Sequence, residues 1–390
     1  MVAARDTTDL LAHLVAFDTT SGRSNLDLVA FIRSVLDEHG LASTQILSED
    51  GTRANLLARI GPAVEGGVVL SGHLDCVPVE GQPWSGPPFG LVRDGDRLYG
   101  RGTADMKGFV AAVLAAVPRF VGRDLARPVV LAFSYDEETG TIGAPSLVER
   151  LVSDEPCPAA VIVGEPTGME VATAHKGVRF VRVTVEGVDA HSSQPHLGAN
   201  AISAATRLAV FIDELATHHR AAAADPSFDP PYTTFNLGRI SGGQAVNIVA
   251  PHCELEWEFR PVPLDDSDEI VSTVRRFAED SVVPELREVG FDVRITLEET
   301  ATVRALAPQA ADPAACLARQ LAGFGEPDRS IAFGTDGGHF QAAGLSTAVC
   351  GPGSIDQAHR PDEFIEVEQL RECARFLERL GDHLSAPRKR

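Results

Sequence analysis

Short apolar runs alternate with amphipathic helical patterns in the first and last parts of the chain. The apolar runs have the composition of strands that are buried on both faces of a parallel sheet, and they lie at residues 68–70, 128–134 and 159–163. The helical patterns repeat apolar residues at helical spacing, and they lie at residues 25–39, 106–120 and 367–384. This alternation predicts an α/β domain with a mostly parallel central sheet.

The middle of the chain has a different pattern, in which strands and helices follow one another in the order β-α-β-β-α-β. The predicted elements lie at residues 178–185, 200–215, 233–240, 246–259, 266–288 and 291–297. This order is typical of a ferredoxin-like α+β sandwich. We therefore expect an inserted domain at 178–299, which divides the α/β domain into segments 1–177 and 300–390.

Composition and charge narrow the class of protein. The chain has 390 residues, of which 44% are apolar, so it is long enough for two domains. With 55 acidic against 34 basic residues, the formal net charge is −21, which predicts no nucleic-acid partner and no membrane partner. The six cysteines include no CxxC pair, which argues against a disulfide framework and a thiolate zinc site and favours a cytoplasmic location.

Candidate catalytic and metal-binding residues lie at the ends of predicted strands or in loops that leave the sheet. They comprise two histidines and several carboxylates: His73, Asp75, Asp105, Glu137, Glu138, Glu165 and His359. Each alone has an ordinary interpretation, such as a surface ion pair, a helix N-cap or a solvated acidic turn. Open α/β sheets place their sites at the carboxyl ends of the strands, so together these residues predict one shared site.

The segments around these residues resemble the successive motifs of the dinuclear zinc aminoacylase and carboxypeptidase family. The segments occur in the family's order over essentially the whole chain, as SGHLDCVPV, GRGTADMKG, YDEETG, VGEPT and GSIDQAHRPDE. The resemblance implies a catalytic di-metal domain of the zinc-peptidase type. We expect the inserted domain to serve as a lid, because it divides the other domain, and as a dimerisation domain, because its strand edge and helices could pair between subunits to give a homodimer.

The resemblance also implies a role for each residue at the metal centre. His73 and Glu165 would hold one metal ion, Glu138 and His359 would hold the other, and Asp105 would bridge the two. Asp75 would orient His73, and Glu137 would be the general base. Oxygen and nitrogen ligands without thiolate suit two catalytic zinc ions, and also cobalt or manganese.

Residues outside the metal centre are expected to bind the substrate. The resemblance implies that His191 binds the carbonyl oxygen as negative charge develops on it, and that Asn247 supports the carboxylate end of the substrate. Arg260 can hold an α-carboxylate with two parallel hydrogen bonds, although a salt bridge at the rim is the alternative. Thr335 and Asp336 lie in a glycine-rich loop, where Asp336 could attract a cationic side chain.

The activity implied by the resemblance is hydrolysis of an N-acyl amino acid, with N2-acetyl-L-ornithine as the expected substrate. The alternatives that share this chemistry are removal of succinate from succinyl-diaminopimelate, deacetylation of acetylcitrulline, and peptide cleavage by a carboxypeptidase or dipeptidase. A non-catalytic dimeric binding protein is disfavoured, because the ligand set and the base are complete. A serine hydrolase is disfavoured because the sequence contains no GxSxG motif.

Overall fold

The computed structural model describes residues 6–222, 225–288, 290, 293–323 and 329–385. The chain forms two compact units. Unit 1 consists of Met1–Ala174, Leu306–Ser330 and Thr335–Arg390, and unit 2 consists of His175–Ala305 and Ile331–Gly334. The predicted insertion, 178–299, lies within the range of unit 2, and residues 291–292 of its predicted last strand lie outside the described residues.

The strands and helices are numbered along the chain. The strands are β1 (Ser43–Leu47), β2 (Ala54–Ile60), β3 (Val68–His73), β4 (Val92–Asp94), β5 (Arg97–Tyr99), β6 (Val129–Ser134), β7 (Ala160–Pro166), β8 (Ala172–His175), β9 (Val178–Glu186), β10 (Thr234–Gly242), β11 (His252–Arg260), β12 (Arg294–Val303), β13 (Arg329–Ile331), β14 (Thr347–Gly351) and β15 (Phe364–Glu366). The helices are α1 (Thr7–Ala16), α2 (Leu26–Asp37), α3 (Gly108–Val121), α4 (Ala144–Asp154), α5 (Ala201–Ala222), α6 (Ser267–Phe277), α7 (Val283–Glu288), α8 (Pro313–Ala322), α9 (Gly337–Ala342) and α10 (Val367–Leu384).

An eight-stranded sheet organises unit 1, in the order β1-β2-β6-β3-β7-β14-β8-β13. The four central strands, β6, β3, β7 and β14, are parallel to one another, whereas β2 pairs antiparallel with β1 and β6, and β8 pairs antiparallel with β14. The predicted mostly parallel centre is therefore confirmed, and the antiparallel flanks were not predicted. Strands β3 and β6 are buried along their whole length, and each begins with the apolar residues typical of a strand that is covered on both faces.

Helices cover both faces of this sheet. Alternate residues of β3 point to opposite faces, so that Val68 and Leu70 join the main core with α1, α2, α3, α8 and α10. Helices α4 and α9 pack against each other and against β6 and β14, respectively. Among the described residues, no helix combines the length and the hydropathy that crossing a membrane would require.

Unit 2 is an antiparallel sheet with helices packed against it. Its strands lie in the order β10-β11-β9-β12, and the chain passes through β9, α5, β10, β11, α6, α7 and β12 in turn. This is the ferredoxin-like arrangement that the sequence predicts. The core of this unit lies between the sheet and α5 and α6, and it includes Trp257, Phe259, Leu208 and Val274. The other face of the sheet carries Arg182, Glu256 and Glu258, which are partly exposed.

Candidate metal centre

Three parallel strands of unit 1 bring candidate ligands to the same edge of the sheet. His73 is the last residue of β3 and pairs with Ser134, the last residue of β6. Glu137 and Glu138 follow shortly after the end of β6, and Glu165 lies near the end of β7, which pairs parallel with β3. The carboxyl ends of these strands therefore deliver an imidazole and three carboxylates to one place.

Asp105 lies between the two histidines. One of its oxygens, Oδ1, is 3.0 Å from Nε2 of His73. The other, Oδ2, is 3.5 Å from Nε2 of His359. This carboxylate therefore directs one oxygen to each side, as a ligand shared by two cations would.

The remaining ligand candidates lie beside these histidines. Glu165 Oε1 is 3.9 Å from Nε2 of His73. Glu138 Oε2 is 2.8 Å from Nε2 of His359. Nδ1 of His73 is 3.1 Å from the carbonyl oxygen of Asp75, and a proton donated in that contact leaves Nε2, which faces the carboxylates, as the nitrogen that could bind a metal ion once deprotonated. Each histidine is thus paired with one glutamate, and both contact Asp105.

The backbone around Asp105 departs from helical geometry. Asp105 has φ −122° and ψ 93°, in a short turn, Thr103–Lys107, that precedes α3. Gly102 starts the turn with φ +79°, a left-handed conformation that favours glycine. The glycine-rich GRGTADMKG segment therefore holds the aspartate outside the helix.

Glu137 lies close to the same group of side chains. Its carboxylate, that of Glu165 and a ring nitrogen of His73 can approach within 4.8 Å of one another. Burial and the negative charge of Glu165 raise the pKa of Glu137 well above its ordinary value. A carboxylate with a raised pKa can accept and return a proton near neutral pH.

The carboxylates of the centre repel one another when no cation is present. Burial, together with the charge of Asp105, raises the pKa of Glu138 to about 7. The same causes raise the pKa of Glu165 well above its ordinary value. Hydrogen bonds to Asp105 and Glu138 raise the pKa of His359 to about 10. Protonated histidines thus provide the only nearby positive charge among the described residues of this cluster.

Two buried carboxylate oxygens in this region have no hydrogen-bond partner among the described residues. They are Oε1 of Glu138 and Oδ1 of Asp336. A buried carboxylate oxygen without a partner is costly unless a cation or another ligand satisfies it. The donor set of imidazole and carboxylate, which includes the unpartnered Glu138 oxygen, therefore fits divalent metal ions.

Comparisons with known proteins agree with this geometry. The model of peptidase family M20/M25/M40 matches residues 69–383. The chain belongs to this family. As a family member it is a metal-dependent hydrolase that acts on amide bonds. The resemblance to dinuclear zinc aminoacylases and carboxypeptidases is thereby confirmed.

Relatives of this M20 family member match it over nearly its whole length. The chain is 32% identical over 389 residues to an acetylornithine deacetylase of Myxococcus xanthus, and the match covers 97% of each chain. It is 33% identical over 367 residues to an acetylornithine deacetylase of Proteus mirabilis, covering 90% of this chain and 88% of the relative. A metallo-carboxypeptidase of Sulfolobus solfataricus has the same fold, with a TM-score of 0.75 at 17% identity, covering 97% of this chain and 98% of that structure.

Thr335 and Asp336 belong to unit 1 of this M20 chain. The hydroxyl oxygen of Thr335 accepts a hydrogen bond from the backbone N–H of Gly337, at the start of α9. Asp336 is 2% exposed, and its Oδ2 accepts a hydrogen bond of 2.5 Å from Ser134. Burial raises the pKa of Asp336 to about 6.

His191, Asn247 and Arg260 belong to unit 2. His191 is exposed. The backbone N–H of its neighbour Ser192 donates a hydrogen bond of 3.0 Å to the carbonyl oxygen of Asn247, so His191 and Asn247 lie close together. Arg260 ends β11 and lies 3.4 Å from Oε1 of Glu258. Arg260 thus forms an ion pair with Glu258, and 37% of its side chain is exposed.

The structure also reveals contacts of Asp75 and Asp136 that the sequence interpretation did not include. Asp75 accepts hydrogen bonds from the backbone N–H groups of Glu137 (3.0 Å) and Glu138 (3.2 Å) and from the Ser21 hydroxyl (2.7 Å). The adjacent carboxylate of Asp136 accepts hydrogen bonds from Gly22 and Arg53. Asp136 lies in the YDEETG segment beside Glu137, and this position is the one feature of the sequence that could have indicated its contacts.

Proposed function

We propose that this M20 family member removes the acetyl group from N2-acetyl-L-ornithine, giving L-ornithine and acetate, a reaction that would serve arginine biosynthesis. The convergence of His73, Asp105 and His359 with carboxylates at one sheet edge supports amide hydrolysis. Relatives named for this reaction, which match 97% and 90% of the chain at 32% and 33% identity, support the substrate.

The proposed metal ligands divide into two sets around Asp105. His73 and Glu165 would hold one ion, and Glu138 and His359 would hold the other. We propose zinc as the ion, while the donor set also suits cobalt and manganese. When bound, two such ions supply an activated water and polarise the scissile carbonyl.

Glu137 is the proposed general base. Its carboxylate would take a proton from the attacking water and then deliver it to the departing amine. Its raised pKa matches both steps, because the group must hold the proton between them. Asp75 would keep this carboxylate in place through the backbone N–H of Glu137 and would also orient His73.

The remaining proposed roles concern the substrate. Arg260 and Asn247 would bind its carboxylate, and His191 would bind the carbonyl oxygen as negative charge develops there. Thr335 and Asp336 would also contact the substrate, and the carboxylate of Asp336 suits a cationic side chain. These assignments stay predictions.

A panel of substrates tests the proposed reaction. Purified protein loaded with zinc or cobalt is assayed with N2-acetyl-L-ornithine, N-acetylcitrulline, N-succinyl-diaminopimelate, N-formyl amino acids and dipeptides. We expect the highest kcat/KM for N2-acetyl-L-ornithine. A higher kcat/KM for the succinyl substrate or for dipeptides would show that the protein is a desuccinylase or a peptidase instead. If none of the substrates is hydrolysed, the result would support a non-catalytic binding protein.

We also propose that the protein is a homodimer formed through unit 2. Strand β10 lies at the edge of its sheet, with Ile240 52% exposed and Leu237 40% exposed. On the adjacent helix α5, Val210 is 54% exposed. A strand edge with exposed apolar side chains can pair with a second copy.

Sedimentation analysis tests the dimer. We expect Ile240→Lys to shift the protein toward monomer, with Val152→Lys on α4 of unit 1, which is 53% exposed, as the matched control. A wild-type monomer at micromolar concentration would refute the dimer.

A cytoplasmic location is a further proposal, supported by the six free cysteines.

A further inference from the structure

Glu363 is a buried carboxylate to which the proposed mechanism gives no role. It is 1% exposed and follows His359 in the loop that leads to β15. Its Oε2 accepts hydrogen bonds from Nη1 of Arg101 (2.8 Å) and the backbone N–H of Gly102 (2.9 Å). Its Oε1 accepts hydrogen bonds from the backbone N–H groups of Ala104 (2.9 Å) and Asp105 (3.1 Å). Each oxygen therefore has two donors.

Three of these donors are backbone N–H groups in the turn that presents Asp105 or at the glycine that precedes it. Because Asp105 is not helical, the N–H groups at the start of the turn need acceptors other than helix carbonyls. Glu363 supplies those acceptors for Gly102, Ala104 and Asp105 at once. The direction of the Asp105 side chain is thereby tied to Glu363.

Arg101 extends the contacts of Glu363 to His359. Its guanidinium is 1% exposed, and it donates from Nη1 to the carbonyl oxygen of Arg360 (3.2 Å) and from Nη2 to Oε1 of Gln82 (2.5 Å). Gln82 in turn donates from Nε2 to the carbonyl oxygen of His359 (3.0 Å).

The backbone of His359 needs such support. His359 has φ +63°, a left-handed conformation that is uncommon for a residue with a Cβ atom. The Gln82 amide and the Arg101 guanidinium donate hydrogen bonds to the carbonyl oxygens of His359 and Arg360, respectively, directly after this uncommon φ angle. The same buried network thus contacts the backbone of Asp105 and the backbone of His359.

We propose that Glu363, Arg101 and Gln82 form a positioning clamp that sets the separation of Asp105 and His359. The clamp would thereby determine how well these residues bind the metal ion proposed for Glu138 and His359, which is called the second ion below. None of the three is proposed to touch metal or substrate. This inference rests on the proposed role of Asp105 and His359 as metal ligands. The clamp itself, as a set of hydrogen bonds, can be tested without any metal.

Glu363→Gln is the principal variant. The amide replaces one acceptor oxygen by an NH2 group, which faces N–H donors whichever way the side chain turns. The matched control is Glu366→Gln, the same change at a carboxylate on β15 that is 54% exposed. Hydrogen exchange of the metal-free proteins reports on the amides of residues 102, 104 and 105. We expect exchange about 10-fold faster or more in Glu363→Gln and unchanged in the control.

Metal titration and kinetics then test the function of the clamp. In Glu363→Gln we expect one of the two cobalt ions to bind about 10- to 100-fold more weakly, as for other lost outer contacts of metal ligands. With cobalt at saturation we expect kcat to fall while KM stays within about twofold. A merely structural role would instead lower the thermal midpoint and leave the affinity of the folded protein unchanged.

Gln82→Glu provides a second variant at a partly exposed position. Glutamate keeps the acceptor for Arg101 but loses the donor to the carbonyl oxygen of His359. We expect it to weaken the same cobalt ion without faster exchange at residues 104 and 105. Wild-type exchange and wild-type affinity for both ions in the two variants would overturn the proposal. If the wild-type protein binds no second ion, the proposed metal centre fails instead, and the exchange data still decide whether the clamp exists.

Discussion

Individual side chains at the strand ends determine what the metal centre can do. Glu137 and Glu138 are adjacent in the chain but have different surroundings. Glu138 contacts His359 at 2.8 Å, whereas Glu137 lies near His73 and Glu165. Because consecutive side chains diverge, one carboxylate can bind a cation while the other stays available for proton transfer.

This difference predicts that Glu137→Gln and Glu138→Gln have distinct effects. Glu137→Gln should keep two bound metal ions and lower kcat by about 10²- to 10⁴-fold, because proton transfer is lost while the ligands remain. Glu138→Gln should bind one ion less tightly. Metal analysis after dialysis, combined with rate assays, distinguishes them. Near-normal turnover in Glu137→Gln would remove this residue from the mechanism.

Asp75 is predicted to matter for the loop as well as for His73. Its carboxylate accepts two backbone hydrogen bonds and lies 3.5 Å from Nδ1 of His73. Asp75→Asn places an NH2 group against an N–H donor, so we expect about 1–3 kcal/mol lower stability and about 10- to 100-fold lower activity. Urea unfolding and kinetics measure both, with exposed Asp94→Asn as the control. Wild-type values for Asp75→Asn would show that the loop is held elsewhere.

The sequence predicts ligand identity better than it predicts the contacts that orient the ligands. His73, Asp105 and Glu165 stand in segments that could be matched to a family. The hydrogen bond that the backbone N–H of Glu137 donates to the Asp75 carboxylate joins residues 62 positions apart in the chain. It forms because β3 and β6 are parallel neighbours in the sheet. Such a contact follows only from the completed sheet.

At the scale of elements, regular periodicity was predictive and irregular backbone was not. Helix α10 has the predicted bounds, Val367–Leu384. Helix α3 starts at Gly108 rather than at residue 106, because Asp105 and Met106 have non-helical backbone although the apolar pattern continues through them. Strand β11 starts at His252 rather than at the predicted residue 246. The prediction included Val246 because it is apolar, but its side chain is fully exposed and lies outside the strand.

The close approach of β7 to α3 leads to a prediction about packing. A Cβ atom on Gly164 would lie 2.1 Å from the ring of Phe109, so the strand beside Glu165 requires glycine. We expect Gly164→Ala to lower stability by about 1–3 kcal/mol or more, because the ring and strand must separate. Gly86→Ala, where the nearest neighbour is 3.9 Å away, is the control. Equal thermal midpoints for the two variants would contradict this packing.

For the whole molecule, the charge balance of the metal centre connects stability to pH. Without cations, burial raises the pKa of Glu138 from 4.5 to about 7. A raised carboxyl pKa means that the folded state binds this proton more tightly than the unfolded state does. The stabilising contribution of the proton is therefore present below pH 4.5 and is lost as pH rises through about 7.

Bound metal ions should replace these protons, so the stabilisation that they give should grow with pH. Protons compete with metal at Glu138 and at His359, whose pKa is raised to about 10 by its hydrogen bonds to Asp105 and Glu138. We expect the thermal midpoint of zinc-loaded protein to exceed that of chelator-treated protein by much more at pH 8 than at pH 5.5. Calorimetry at both pH values measures the two differences.

The variant His359→Gln provides the control for this effect. Removing one imidazole leaves the first ligand set, His73 and Glu165, intact, so the metal-dependent rise in midpoint should persist but shrink at pH 8. If zinc stabilises the wild-type protein equally at both pH values, proton release does not accompany binding, and the buried carboxylates cannot be the ligands. Because the measurement needs no substrate, it tests the metal centre independently of the reaction.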